Sequence, residues 1–112
     1  MFLDLKQLDG INVLSIGGEL GGPDDDTLIE RVNDLLNVAG DRLILDLHSV
    51  TYLNSTGLNT LVRITARANV QEQRVVLAHP APLVDGVLRT TQLVRFFEVF
   101  ADLPAASAAL RG

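Results

Sequence analysis

The chain has 112 residues, a formal net charge of −5, 47% hydrophobic and 21% charged residues, and no cysteine. That is enough for one packed core and is the composition of a globular protein, which argues against disorder or a fibrous repeat. It leaves no thiolate metal site, disulfide or cysteine nucleophile, and its acidic balance has the wrong sign for a chain that binds nucleic acid by neutralising phosphates.

From the start, Phe2 to Gln7 alternates apolar and polar residues, Asp9-Gly10 is a two-residue hairpin turn, and Ile11 to Ile16 resumes as a strand. Gly17, Gly18, Gly21, Gly22 and Pro23 then punctuate the chain. Leu28, Ile29, Val32, Leu35 and Leu36 follow at helical spacing, which predicts a helix over about 24–39, ended by Gly40. Asp24, Asp25 and Asp26 in its first turn are read as residues favoured by the helix dipole rather than as a cation site.

Arg42 to Leu47 is a short, nearly continuous apolar run of the kind buried on both faces of a sheet. After a turn over 48–54, a helix is predicted from Ser55 or Thr56 to about Asn69, with Leu58, Leu61, Val62, Ile64 and Ala68 on its apolar side and Arg63 and Arg67 as an i,i+4 basic pair. Arg74–Ala78 reads as a second buried strand, Pro82 to about Thr90 as a third helix, 96–100 as a last strand, and Ala105–Leu110 as a closing helix. The order ββαβαβαβα implies an α/β fold: one domain over 1–112, with a mainly parallel sheet, one antiparallel member and packed helices. Nothing apolar approaches the length of a membrane span, the start is charged within four residues, and the expected location is the cytoplasm.

Catalytic templates fit poorly. No glycine cluster matches a nucleotide cradle, and His48 and His79 lack a partner at metal-ligand spacing, so neither cofactor nor metal is implied. Asp46, His48 and Ser55 lie close in sequence and invite a hydrolase triad, but the GxSxG turn is missing. Ser55 itself has two readings where a strand hands over to a helix. It is either an N-cap for the first-turn amides or an exposed hydroxyl at which a phosphate would meet free amides and the positive end of the dipole.

The stretch Leu43-Ile44-Leu45-Asp46-Leu47 through Asn54-Ser55-Thr56-Gly57-Leu58 resembles the signature of the STAS domain, as found in bacterial anti-sigma factor antagonists. The opening hairpin, Gly18-Glu19-Leu20, the strand Arg74–Ala78 and the tail from Phe97 are also similar to that pattern. The resemblance implies a non-enzymatic switch, with Ser55 the phosphoacceptor and Thr56 the fallback. Asn54, Thr56, Gly57 and Leu58 would form the docking turn, Arg63 and Arg67 would lie one or two turns further along the helix as further partner-binding residues, and Asp46 would help to orient the turn. Its implied partners are an anti-sigma factor with serine kinase activity and a PP2C-type phosphatase. Asn54 stands where the family usually carries aspartate, and Gly21-Gly22-Pro23 where the family more often runs directly into the helix. The alternative role is an interaction module without a phosphorylation cycle, as a signalling scaffold or an accessory subunit of a lipid-transport complex.

Overall fold

A computed structural model describes residues 1–112. The strands are β1 (Phe2–Leu8), β2 (Ile11–Leu20), β3 (Arg42–Asp46), β4 (Val50–Leu53), β5 (Arg74–Ala78) and β6 (Val99–Phe100). The helices are α1 (Asp25–Leu35), α2 (Ser55–Val70), α3 (Pro82–Thr90) and α4 (Leu103–Arg111), with a 3-10 turn at Leu93–Arg95. The sheet runs β1-β2-β3-β5-β6, and β4 pairs with the far end of β2. Only the β1–β2 hairpin is antiparallel; the other pairings are parallel. The α/β expectation with one antiparallel member therefore describes this sheet.

Strand side chains alternate between faces, and this sorts the core into two layers. Leu14, Ile16, Leu43, Leu45, Val75 and Leu77 point to the side covered by α1, α2 and α3. Ile11, Val13, Ile44, Val76 and Ala78 point to the other side, where Ala106 and Leu110 of α4 cover them. Both faces of β3 and β5 are thus buried, which is why those strands read as unbroken apolar runs.

Four expectations are corrected. The segment expected as a turn over 48–54 contains β4, whose Val50, Tyr52 and Leu53 pair with Gly18, Glu19 and Leu20 and so carry β2 past two glycines to Leu20. The first helix stops at Leu35 rather than about 39, because the Asp41 carboxylate accepts from the amides of Asn37 (2.7 Å) and Val38 (3.0 Å) and offers them an alternative to helical partners. Those amides, Val38 above all, hold the Asp41 carboxyl below the ordinary carboxylate range. The last strand is only Val99–Phe100, since Phe96 and Phe97 are drawn into the turn begun at Leu93. The closing helix starts earlier, at Leu103, capped by Asp102, which accepts from the Ala105 amide at 2.8 Å.

Arg74, at the start of β5, meets Glu98 with its Nε 2.8 Å from Oε2. The guanidinium's hydrogen bond holds the Glu98 carboxyl below its usual value, and the carboxylate raises Arg74 in return. Because the side chains are 44% and 45% exposed, solvent screens the pair, and Glu98→Gln is expected to lose less than about 1 kcal/mol at neutral pH. A carboxyl depressed in the folded state contributes above its unfolded pKa and loses that contribution as pH falls through the folded one. The difference in urea midpoint between wild type and Glu98→Gln should accordingly vanish on acidification.

Candidate functional site

Asn54 closes β4 and opens α2, and its side chain is what joins the two to the loop after β2. Its extended backbone (φ −110°, ψ −177°) sets Asn54 Oδ1 to accept from the Gly57 amide at 2.9 Å, while the Asn54 carbonyl takes the Leu58 amide at 2.9 Å. Asn54 Nδ2 donates to the Gly21 carbonyl at 3.0 Å. The N-cap expected of Ser55 therefore belongs to Asn54. An asparagine one residue ahead of the serine has the extended backbone that a cap requires, whereas Ser55 is already helical.

Asn54→Ala should remove both bonds and cost about 1–2 kcal/mol, read as a drop in denaturant midpoint with the slope unchanged. Asn54→Asp retains an acceptor for Gly57 but turns a carboxylate, in place of a donor, toward the Gly21 carbonyl.

The loop itself is gripped from the other side. Asp25, only 6% exposed, accepts from the amides of Gly21 (3.0 Å) and Gly22 (3.3 Å) through Oδ1, and its Oδ2 accepts from the Thr60 hydroxyl of α2 at 2.8 Å. The dipole reading of the three aspartates thus misses what Asp25 does. Asp24 lies in the N-cap position without a side-chain cap bond and meets the N-terminal ammonium at 3.4 Å. Gly57 packs against the same loop, and a Cβ there would stand 2.4 Å from the Leu20 carbonyl oxygen. This close approach of Gly57 is made to its own chain. Gly21 adopts φ +116°, open to glycine and rarely to other residues, and a Cβ on it would strike the Asn54 side chain.

On this frame Ser55 and Thr56 are both exposed, and neither hydroxyl has a hydrogen-bond partner within the chain. With the Gly57 and Leu58 amides satisfied, those of Ser55 and Thr56 remain as open donors of the first turn. Gly57 and Leu58, named above as docking residues, are buried and support the turn from beneath.

Arg63 and Arg67 are exposed but lie further from Ser55 than one or two turns. Eight and twelve residues along α2 amount to roughly 12 and 18 Å of rise, turned by about 80° and 120° around the axis. They border a groove between α1 and α2 instead.

Asp46 shares the parity of Ile44 and faces the α4 side of the sheet, opposite to α2. Its carboxylate accepts from the Ser15 hydroxyl at 2.9 Å and the His48 amide at 3.1 Å, pinning the start of the β3–β4 connection. The His48 ring stacks on His79, with centroids 4.1 Å apart and planes 12° from parallel. Asp46, His48 and Ser55 thus form no proton relay, and the hydrolase reading lacks its geometry. No cluster of three metal-ligating side chains occurs, and no helix is long and apolar enough to cross a membrane.

Solved structures with the same arrangement include a candidate anti-sigma factor antagonist from Thermotoga maritima, at a TM-score of 0.85 and 22% identity over 98% of this chain and 95% of that one. The anti-sigma factor antagonist SpoIIAA in its unphosphorylated form matches at 0.75 and 16% identity, over 99% of this chain and 97% of that one. The murine anion transporter Slc26a9 matches at 0.78 and 15% identity, over 95% of this chain but only 18% of the transporter. At such identities the likeness speaks to the fold. The sequence also matches the family model of the STAS domain over residues 2–106. The chain therefore belongs to the STAS domain family.

Proposed function

We propose that the protein is an anti-sigma factor antagonist of the partner-switching kind, a cytoplasmic binding protein rather than an enzyme. In its unphosphorylated form it docks through the exposed Ser55–Thr56 turn on an anti-sigma factor that is also a serine kinase. Phosphorylation of Ser55 ends that contact and a PP2C-type phosphatase restores it. The observation that carries this reading is the freedom of the Ser55 hydroxyl: Asn54 performs the capping, so a phosphate on Ser55 costs the fold no internal bond.

The open amides of the first turn and the helix dipole would tolerate the new charge. At the docking surface the same group adds about −1.5 to −2 charges, and losing about 3 kcal/mol of binding lowers affinity more than a hundredfold. No change of fold is needed.

Phosphosite mapping of the protein isolated from its native cells, beside a Ser55→Ala form, tests this. One phosphate on Ser55, absent from the alanine form, is the expected result. If Ser55 and Thr56 stay bare across growth and stress conditions, the switch is wrong and a constitutive interaction module, such as a signalling scaffold or an accessory subunit of a lipid-transport complex, is the better account.

A further inference from the structure

Between the C-terminal halves of α1 and α2 lies a groove of about 470 Å³, within the size range of small-molecule sites. Its floor is apolar, formed by Ile29, Val32, Leu36 and Ile64, and its rim carries Arg63 and Arg67. These guanidiniums are on the same side of α2, one turn apart, and take part in none of the chain's ion pairs, which engage Arg74, Arg89, Arg111 and the N-terminus. Two like charges at i,i+4 weaken a helix. The helix dipole accounts for Arg67 in the last turn of α2 but not for Arg63.

The opposite wall is just as specific. α1 bears Asp25, Asp26, Glu30 and Asp34, yet the polar residue it turns to the groove is the amide Asn33, and the residue that follows at the groove just past its end is another amide, Asn37. A chain with fourteen acids thus leaves its two groove arginines uncompensated. We infer that this groove binds a small amphiphilic anion, its carboxylate or phosphate head held between Arg63 and Arg67 and its apolar body lying on Ile29, Val32, Leu36 and Ile64. The two guanidinium forks offer paired donors to one oxyanion, Asn33 adds a neutral donor from across the groove, and the apolar floor adds affinity for ligands with a greasy body. The site lies beyond the Ser55 turn and does not depend on that turn's being phosphorylated.

Titration of the full chain with anilinonaphthalene sulfonate, itself an aromatic amphiphilic anion, reads the site directly through its fluorescence. Saturable binding of one probe per chain at about 100 μM or below is expected, displaced by decanoate or decyl phosphate but not by decanol at equal concentration. Arg63→Gln combined with Arg67→Gln should weaken the probe by at least about tenfold, while Arg95→Gln, a charge control away from the groove, leaves it unchanged. Thermal melts check that each variant folds. Should the double variant fail to fold, amide shift mapping on the wild type decides: changes centred on Asn33, Ile64 and Gln71 support the site. Non-saturable binding, unchanged affinity in a folded double variant, displacement by decanol equal to that by decanoate, or shifts confined elsewhere would each overturn it.

Discussion

Gly57→Ala is expected to lower the thermal midpoint by about 10 °C or more, from a loss of roughly 2–3 kcal/mol. The cause is steric and not conformational, since Gly57 is helical and alanine is the better helix former. A Cβ at this position would sit 2.4 Å from the Leu20 carbonyl oxygen and 2.8 Å from the Gly21 amide nitrogen, and both are backbone atoms held by their own bonds. Leu20 pairs with Leu53 in the sheet, and the Gly21 amide is committed to Asp25. To admit the methyl group, the end of β2 and the start of α2 must separate, which strains the bond from Asn54 to Gly21 as well. Gly22→Ala is the matching control, because nothing lies within 4 Å of its would-be Cβ and its backbone is not in the left-handed region. It should change stability by no more than about 0.5 kcal/mol. Equal melting curves for the two variants would show that the junction is looser than the structure describes.

Asp25→Ala should be comparably severe, at about 3 kcal/mol, because one carboxylate serves three donors from two parts of the chain. Its removal leaves the part-buried Gly21 and Gly22 amides without their acceptor and the buried Thr60 hydroxyl with only the Thr56 carbonyl at 3.1 Å, and an unmade bond there costs more than a made one contributes. Thr60→Val removes only one of the three donors and should cost about 1 kcal/mol. The double variant should then be less destabilised than the sum of the two singles, because the Thr60 bond is lost only once, and urea titrations of the four proteins give the coupling. Additive losses would mean that Asp25 acts on the Gly21–Gly22 loop alone. The functional consequence follows from position. Asp25 and Asn54 hold the same two-glycine loop from opposite sides, and that loop underlies the turn presenting Ser55. Loosening either grip should blur the surface around Ser55 before the sheet is lost.

Much of this architecture is local and therefore legible in order along the chain. Asp9-Gly10 specifies a hairpin because both residues take positive φ, at 54° and 78°, as a two-residue turn of that kind requires. β3 and β5 announce themselves as apolar runs because both of their faces are covered, and α2 and α3 by apolar residues at helical spacing. The STAS-like stretch around Ser55 is equally a property of adjacent residues.

What tertiary structure alone decided is whatever depends on a partner distant in sequence. β4 is four residues long and is a strand only because β2, thirty residues earlier, offers it the edge at Gly18–Leu20; no period can declare itself in four residues. The cap passed from Ser55 to Asn54 because Gly21 stands where Asn54 can bond both the helix and the loop. Asp25 differs from its neighbours Asp24 and Asp26 only in what surrounds it, a buried position facing Thr60 across 35 residues. Arg63 and Arg67 belong to a groove rather than to the Ser55 turn because α1 packs beside the later half of α2, and packing between helices acts through space, which spacing along one helix does not encode.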